Sequence, residues 1–403
     1  MLTNITVEEA WGIFRNVTVP LQPESVSLLD SLHRIAAFDL VSASDLPACY
    51  QSAVDGFVIH KSDLQGEREL CVMEGVIGPG KLPASSLNPG NTQKIATGGT
   101  LPSGSAAVIP EEEAIFKGDC LYVKKETAAG ANVRPQGEDF KRGEIILRRN
   151  VRLTPGVLGV LAAIGEERIM VVPRPSVAII CLGQEIIPHN NIPGSEQVRD
   201  SNGPLLASLI IQDGGDVACL EYKSKASTRK NFLSTLEDVF EQADLVITIG
   251  GTAFGEPDDQ AIPLLREAGI TMLFWGIQVK PGSHSGGGLW EYKPVIALSG
   301  NPSACAVGYH LLVSPVLRQM QGLPFAPEKT MAVCVDKYSS NGSKRRFLRG
   351  QMFIEEGLWK VKILPGQKSS MLKSLLSYNS LIDLEAGQPQ VEKDSMVPVI
   401  KVI

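Results

Sequence analysis

Leu245-Val-Ile-Thr-Ile-Gly-Gly251 (LVITIGG) is a short apolar run that ends in two glycines. Ser176–Leu182 (SVAIICL) is a second run of the same kind, earlier in the chain. Continuous apolar runs of this length, with no polar residue at alternate positions, are typical of strands buried on both faces of a sheet. The two runs therefore predict neighbouring strands of a parallel sheet.

The segments around these two runs alternate between strand and helix patterns, which indicates a parallel sheet covered by helices on both faces. We predict helices at Ser201–Ile211, Asn231–Gln242, Asp259–Ala268 and Ser303–Met320. Further strands are predicted at Val217–Glu221, Thr271–Trp275 and Val295–Leu298.

The flanking regions have other patterns. Thr6 and Glu9 form a capping-box pattern at the start of a helix over Val7–Asn16, and a second helix over Leu153–Ile164 ends at Gly165. The Pro- and Gly-rich stretch Val41–Leu153, with short apolar runs, predicts a β-rich insert. After a linker at Pro324–Pro327, four strands and one short helix predict a small, mostly β domain: Met331–Asp336, Phe347–Ile354, Trp359–Leu364, Met371–Leu376 (helix) and Val397–Ile403.

The composition excludes several classes of function. The chain has 403 residues, too many for one core, and 43% hydrophobic with 20% charged residues is ordinary for a soluble globular protein. A net charge of −6 and 6% aromatic residues argue against a nucleic-acid partner. The N-terminus has no signal-peptide pattern and no stretch is apolar enough to span a membrane, so we expect a cytoplasmic protein.

The seven cysteines are scattered and include no C-x-x-C pair: Cys49, Cys71, Cys120, Cys181, Cys219, Cys305 and Cys334. This pattern favours buried, reduced thiols over disulfides or a metal site.

Four loops follow predicted strands, at the edge where an open α/β sheet binds its ligand. They are Leu182–Glu185, Gly250–Gly255, Lys280–Gly282 and Ser299–Ser303. Bare glycine amides, a capped helix start at Asn301 and a lysine could together hold an anion, and the carboxylates Glu185 and Asp258 could hold Mg²⁺ beside it. Each feature also has an ordinary interpretation: a flexible turn, a well-capped helix, a solvated lysine or compensation of a helix dipole.

Several motifs, in order along the chain, resemble those of the molybdopterin molybdenumtransferase family (MoeA, with the gephyrin E domain). Pro47–Phe57 resembles its Ser-Ala-Met-Asp-Gly-Tyr signature, and Ile95–Gly104 its Thr-Gly-x-x-x-Pro-x-Gly segment. Asn132–Asp139 resembles its Asn-Val-Arg-x-x-Gly-Glu-Asp motif. Further matches are Asp200–Asn202, Gly250–Gly251, Lys280–Gly282, Gly300–Pro302, Leu348–Gly350, Gly366–Ser370 and Ser374–Leu375.

The resemblance implies a multidomain α/β plus β fold and a homodimer. It implies a linker and helical region at 1–46 and 140–172, a β-rich insert at 47–139, a doubly wound α/β molybdopterin-binding domain at 173–323 and a C-terminal β-barrel at 328–403. The implied active cleft lies between the α/β domain and the β insert of the other subunit. The implied reaction inserts molybdate into adenylylated molybdopterin with Mg²⁺ and releases AMP.

The resemblance also implies roles for individual residues. It implies catalytic roles for Asp55, Asp258 and Lys280; His284 is a further catalytic candidate that we add ourselves, because the family pattern does not contain it. Metal ligation falls on Asp55, Asp139, Glu185 and Asp258. Substrate binding falls on Ser52, Thr97, Gly250, Gly251, Gly255, Ser299, Gly300, Asn301, Ser303 and Ser369.

The chain departs from the family pattern at Leu182, Gln184, Ala253, Ser283 and Ser299. Lost hydroxyls and one lost lysine would weaken oxyanion binding, and one lost carboxylate would weaken a metal site. Cationic His284 is a substitute for the lost lysine. Besides an active molybdenumtransferase, the alternatives are a non-catalytic molybdopterin carrier or scaffold and a tungsten-inserting variant.

Overall fold

The computed structural model describes residues 1–223, 229–251, 261–340, 342–388 and 390–402, without the side chains of 223 and 229–235. Its α-helices are α1 (Val7–Val17), α2 (Pro155–Ala163), α3 (Asn202–Gln212), α4 (Arg229–Gln242), α5 (Ala261–Glu267), α6 (Pro302–Gly308) and α7 (Ser314–Met320). A π-helix over Tyr309–Val313 joins the last two. Short 3₁₀ helices occupy Leu29–Ser31, Lys61–Asp63, Glu111–Glu113 and Lys373–Leu376.

The first strands are β1 (Leu2–Ile5), β2 (Glu24–Ser27), β3 (Ile35–Ala36), β4 (Leu40–Val41), β5 (Gln51–Ser52), β6 (Gly56–His60), β7 (Arg68–Ile77), β8 (Asn91–Ile95), β9 (Ser105–Pro110), β10 (Ile115–Lys117), β11 (Cys120–Val123), β12 (Val133–Arg134) and β13 (Ile145–Leu147). The middle strands are β14 (Arg168–Val172), β15 (Ser176–Leu182), β16 (Ile186–Ile187), β17 (Val198–Arg199), β18 (Asp216–Lys223), β19 (Leu245–Ile249), β20 (Thr271–Ile277), β21 (Val279–Lys280), β22 (Gly286–Trp290) and β23 (Lys293–Leu298). The last are β24 (Lys329–Cys334), β25 (Tyr338–Ser339), β26 (Arg345–Glu355), β27 (Leu358–Ile363), β28 (Ser380–Leu384), β29 (Gln390–Val391) and β30 (Ser395–Lys401).

The chain packs as two compact units, the first made of residues 1–26, 33–37 and 170–403 and the second of 27–32 and 38–169. The first unit is built on a seven-stranded sheet of order β1-β20-β22-β23-β19-β15-β18. Helices α1, α3, α6 and α7 pack on one face of this sheet, and α4 and α5 on the other. Successive apolar residues of β15 and β19 enter opposite cores, so both strands are largely apolar. The predicted doubly wound α/β domain is confirmed.

The sheet is mixed, because β22 runs antiparallel to both of its neighbours. Our prediction of a parallel sheet was wrong at this strand, for which we had predicted no strand pattern. A Cβ on Gly286 would lie 2.2 Å from the ring of Trp275, and one on Gly287 would lie 2.5 Å from the rings of Phe14 and Phe274. A run of glycines is more typical of a loop, but here Gly286 and Gly287 make room for aromatic side chains in the core.

The C-terminal strands of the first unit form a closed barrel. Their order is β26-β27-β24-β30-β28, and β26 also pairs with β28, which closes five strands into a ring. Its core holds Ala332, Leu348, Val361 and Ile382. β21 adds to the outside of β26. The predicted barrel is confirmed, although β28 had no strand pattern that we recognised.

The second unit contains a six-stranded sheet of order β10-β11-β7-β8-β6-β9. Two small cores pack on it, one around Phe57, Leu70 and Leu121 and one around Val58 and Ile95. Two-stranded ribbons, β5 with β12 and β4 with β13, complete it. This confirms the prediction that this part of the chain is rich in β-strands.

The local predictions at helix ends also hold. The Oγ1 of Thr6 accepts from the N–H of Glu9, and the Glu9 carboxylate accepts from the N–H of Thr6, which is the predicted capping box. Helix α2 begins at an N-cap Thr154 and is followed by Gly165 at φ +88°.

Candidate functional site

The strand order of the first unit contains a switch point. From β15 the chain crosses to β18 on one side, and from β18 it returns to β19 on the other side of β15. The loops that follow β15 and β19 therefore diverge at their carboxyl ends and leave a crevice between them. They include the predicted loops Leu182–Glu185 and Gly250–Gly255, the second of which is described only as far as Gly251.

Glycines let three loops approach each other at this edge. Gly250 has φ +89°, and a Cβ on it would lie 2.4 Å from the carbonyl oxygen of Leu182. A Cβ on Gly300 would lie 3.3 Å from the Cα of Gly250. Among the described residues, the N–H groups of Gly251 and Gly300 have no hydrogen-bond partner. Within the described chain, the edge thus offers two backbone donors on residues that have no side chain of their own.

Asp200 and Asn202 hold the loop that carries Gly300. The buried carboxylate of Asp200 accepts the N–H groups of Asn202 and Gly203 at 2.9 and 3.0 Å and the hydroxyl of Tyr222 at 3.1 Å. Asn202 in turn donates its Nδ2 to the carbonyl of Gly300 at 2.7 Å. The Oδ1 of Asn202 is buried and has no partner among the described residues. This chain of bonds fixes the loop that presents Gly300.

The start of α6 meets the C-terminal part of the chain. Ser303 is fully buried; its N–H donates to the carbonyl of Ser369 at 2.9 Å, and its Oγ donates to the carbonyl of Met371 at 2.5 Å. Two predicted site residues, 66 positions apart, are thus neighbours. Both polar groups of Ser303 are already bonded, so its role in this structure is to anchor α6 rather than to offer a donor. Asn301 is the N-cap and Pro302 is the first helical residue, as predicted.

Lys280 lies on the loop that leaves β20. The loop closes through a bond from the N–H of Ile277 to the carbonyl of Ser283 at 3.1 Å, and a Cβ on Gly282 would lie 3.5 Å from the carbonyl of Ala304 in α6. Lys280 is exposed and is the strand partner of Arg346. A second cation, Arg346 on β26, is therefore the neighbour of Lys280 across this strand pair. His284, which follows on the same loop, is exposed.

Glu185 is exposed on the loop after β15, and its side chain curls back beside Gly183. A Cβ on Gly183 would lie 3.0 Å from the Glu185 carboxylate. The predicted carboxylate is therefore present at the crevice edge of this unit.

A second group of predicted residues lies in the second unit. Asp55 Oδ1 accepts both the N–H and the hydroxyl of Thr97, at 2.7 and 2.9 Å. These two bonds, with the charge of Lys94, hold the pKa of Asp55 below its usual value, so the carboxylate stays ionised. Ser52, on β5, accepts the N–H of Gly98 with its carbonyl and so ties the Thr97 turn to the same place. Asp55, Thr97 and Ser52 are brought together.

Asp139 lies in an acidic turn of the second unit. Arg134 binds Asp139 at 2.8 Å and Glu138 at 3.0 Å, and Arg134 is the strand partner of Gln51, next to Ser52. Asp139 is thus held by an arginine at an exposed site.

Gly255 and Asp258 lie outside the described residues, as does Ala253. Within the part of the chain that is described, no three His, Cys, Asp or Glu side chains lie close enough together to hold a metal ion. The described helices include none long and apolar enough to cross a membrane.

Sequence reasoning missed the supporting residues. Asp200 and Asn202 stood in a motif, but nothing local showed that Asn202 binds Gly300 or that Asp200 holds the N–H of Asn202. Arg349 is fully buried and binds Ser374 and the carbonyl of Gly366, which positions the segment that carries Ser369. The sequence does not show whether a charged side chain is buried. The one sign of it was that Arg349 follows two apolar residues in a predicted strand.

These features define a class: multidomain proteins with a doubly wound α/β domain, a glycine-lined crevice at its switch point, a β-rich unit and a closed barrel. Three family models match in succession along the chain. They are "MoeA N-terminal region (domain I and II)" at residues 5–165, "Probable molybdopterin binding domain" at 178–319 and "MoeA C-terminal region (domain IV)" at 331–402. The chain belongs to the MoeA family of molybdopterin molybdenumtransferases, transferases of molybdenum cofactor biosynthesis.

Individual relatives agree with this. A molybdopterin molybdenumtransferase of Staphylococcus aureus (strain Mu50) is 28% identical over 402 residues, which cover 98% of this chain and 95% of the relative. A protein of the same name from Staphylococcus epidermidis is 28% identical over 404 residues, with 99% and 96% covered.

Solved structures share the fold. A molybdopterin biosynthesis moeA protein from Pyrococcus horikoshii OT3 has a TM-score of 0.80 at 25% identity and covers 99% of this chain and 100% of its own. A second structure of such a protein from this source, at 24% identity, has a TM-score of 0.87 and covers 99% of both chains.

Proposed function

We propose that this chain inserts molybdate into adenylylated molybdopterin and releases AMP. The observation that carries the proposal is the crevice at the switch point between β15 and β19. There the amides of Gly251 and Gly300 are without partners in the described chain. The substrates are a phosphate-linked pterin and a tetrahedral dianion, and unpartnered amides in a glycine-lined crevice suit both.

The chain's own groups would act by placing and balancing charge. The N–H groups of Gly251 and Gly300 would donate to anionic oxygens. Lys280, with Arg346 beside it, would add positive charge at the same domain edge. Because Asp200 and Asn202 hold the Gly300 loop before any ligand arrives, this loop would need little reorganisation on binding. His284 would donate a proton as oxygen leaves molybdenum.

Mg²⁺ belongs to the same proposal. Asp55 fits a hard cation: it stays ionised, one oxygen is fixed by Thr97, and the other has no partner among the described residues. Glu185 offers a second exposed carboxylate, and Asp139 and Asp258 complete the set implied by the family. Bound Mg²⁺ would supply Lewis-acid polarisation of phosphate oxygens.

The test is an AMP-release assay on the purified protein with adenylylated molybdopterin. We expect AMP release that requires molybdate and Mg²⁺ and falls at least tenfold in Lys280→Ala. The matched control is Lys337→Ala, a lysine whose ion pair with Glu392 is exposed.

Binding of the pterin without molybdate-dependent AMP release would instead support the carrier alternative. Tungstate in place of molybdate tests the third alternative, and unchanged synthesis in His284→Ala would remove His284 from the mechanism.

We propose that the protein works as a homodimer in the cytoplasm. The ribbon of β4 and β13 supports an interface, because its partners Val41 and Ile145 are both exposed, as is Phe38 just before them. We expect a dimeric mass by light scattering and a monomeric mass for Ile145→Glu. Ile354→Glu, which changes an exposed apolar residue on the barrel, is the control and should stay dimeric. A monomeric wild-type protein would contradict the proposal.

A further inference from the structure

Two cysteines face each other on neighbouring strands of the second unit. In the antiparallel pair of β7 and β11, the register places Cys71 directly opposite Cys120. Cys71 is exposed and Cys120 is half-buried, whereas Cys181, Cys305 and Cys334 are buried. The prediction of buried thiols is therefore wrong for Cys71.

The hydrogen bonding of Cys71 determines how close the two side chains come. Its N–H donates to the carbonyl of Gly90 at 2.9 Å, on the side of β7 that faces β8. The N–H and carbonyl of one strand residue point to the same side, so Cys71 makes no ladder bond to β11. The pair with Cys120 is thus a non-hydrogen-bonded pair, in which the Cα atoms approach to about 4.5 Å and the side chains are closer than in the alternate pairs.

This spacing suits a covalent link, because disulfides join residues with Cα atoms roughly 4.4–6.8 Å apart. Burial first, then the neighbouring Cys71 thiol and the charges of Glu69 and Asp119, raise the pKa of Cys120. Cys120 therefore keeps its proton at neutral pH, and the exposed Cys71 is the thiol that a dissolved oxidant meets first.

We propose that Cys71 and Cys120 are a thiol pair that forms a reversible cross-strand disulfide with a small-molecule disulfide as oxidant. The Cys71 thiolate attacks one sulfur of the oxidant, forms a mixed disulfide and releases one thiolate. Cys120, on losing its proton, attacks the sulfur of Cys71 and releases the second thiolate. The chain loses two hydrogen atoms, the oxidant is reduced to two thiols, and an external dithiol reverses both steps.

The disulfide would join the terminal hairpin of the six-stranded sheet covalently to β7. β10 and β11 form a terminal hairpin that joins the sheet through β7. The chain between the two cysteines contains β8 and β9, so the bond would close a long loop around the middle of this unit.

Peptide mapping of the full-length protein tests the proposal. The protein is incubated with oxidised glutathione, its remaining thiols are blocked, and it is digested with trypsin without reduction. Trypsin should release Glu69–Lys81 and Gly118–Lys124, each with one cysteine. We expect these two peptides linked, two fewer of the seven thiols, an intact mass of one chain, and loss of the link on adding dithiothreitol.

The variants separate this pair from general oxidation. Cys71→Ser and Cys120→Ser should each abolish the linked peptide. Cys49→Ser, which changes a half-buried cysteine that contacts Thr100, should retain it. Recovery of Cys71 and Cys120 as separate glutathione adducts or as unmodified thiols, or a link found only between two chains, would overturn the proposal.

Discussion

Thr97 controls the charge of Asp55 through two bonds to a single carboxylate oxygen, one from its N–H and one from its hydroxyl. The N–H bond is the larger influence on the pKa of Asp55, and the hydroxyl bond adds to it. Since both favour the ionised carboxylate, removing either raises the pKa. We selected Thr97 from a sequence motif, and the structure shows a physical role for it: Thr97 keeps Asp55 ionised.

We expect Thr97→Val to raise the pKa of Asp55 toward its ordinary value and to leave part of the shift, because the backbone bond remains. NMR titration of the Asp55 carboxyl carbon measures the pKa directly. Thr127→Val is the control, since Thr127 is bonded to Arg68 and lies away from Asp55 in the sequence. An unchanged Asp55 pKa in Thr97→Val would show that the hydroxyl has no effect.

His310 is a second residue whose titration follows from burial. It is 5% exposed, its Nε2 lies 3.0 Å from the hydroxyl of Tyr378, and desolvation lowers its pKa to about 3. The folded-state pKa lies below the unfolded value of 6.5, so the unfolded chain takes up the proton first. The stability that this His contributes is therefore full above pH 6.5 and is lost as the pH falls.

We expect His310→Gln to flatten this part of the acid response. Below pH 6.5 the wild-type protein should lose up to about 1.4 kcal/mol of unfolding free energy per pH unit relative to the variant. Urea unfolding at several pH values between 7 and 4 measures the difference. Parallel losses in the two proteins would contradict the assignment.

Strand β22 begins with three glycines, and its packing depends on their having no side chains. Its glycines are buried, and the space beside Gly287 is filled by the rings of Phe14 and Phe274, which meet edge to face at 5.6 Å. The N-terminal helix α1 supplies Phe14. Its ring occupies the space that a side chain at Gly287 would need, so the helix and the strand can pack closely.

We expect Gly287→Ala to destabilise the protein by about 1–3 kcal/mol, because its Cβ would overlap two buried rings. Gly12→Ala is the matched control. Gly12 is exposed in α1 with nothing within 4 Å of an added Cβ, so alanine should stabilise the helix by roughly 0.5–1 kcal/mol. Thermal melts of both variants give the comparison, and equal effects of the same sign would refute it.

At the scale of the whole molecule, Arg345 ties the beginning of the chain to its end. It binds both oxygens of Asp383 in β28 at 2.7 Å and the carboxylate of Glu8 in α1 at 2.8 Å. Asp383 is 2% exposed, and burial alone would raise its pKa. Bonds and charges from Arg345 and Lys329 outweigh that effect and leave the pKa below its usual value.

We expect Arg345→Met to cost roughly 3 kcal/mol, because it leaves a buried carboxylate with a single cation. Lys337→Met removes an ion pair that is exposed on both sides and should change stability by less than about 0.5 kcal/mol. Chemical denaturation of both variants measures the contrast. A loss for Arg345→Met no larger than the control would show that this pair contributes nothing.

The sequence by itself determined the layers of the fold and most of the loops of the site. Three predictions show this: β15 has the bounds predicted for it, α1 begins with the predicted capping box, and a helix starts after Asn301. They depend on the spacing of apolar residues and on which side chains can cap a helix. Both are properties of a short stretch of chain, so a single sequence displays them.

Only the tertiary structure decided which distant groups meet. β1 pairs with β20 at the edge of the sheet, β22 runs antiparallel, Asp200 supports Gly300 through Asn202, and Ser303 binds Ser369. The physical reason is that a partner's distance and burial depend on how remote segments pack. No local pattern records what will fill the space beside a glycine or face a buried charge.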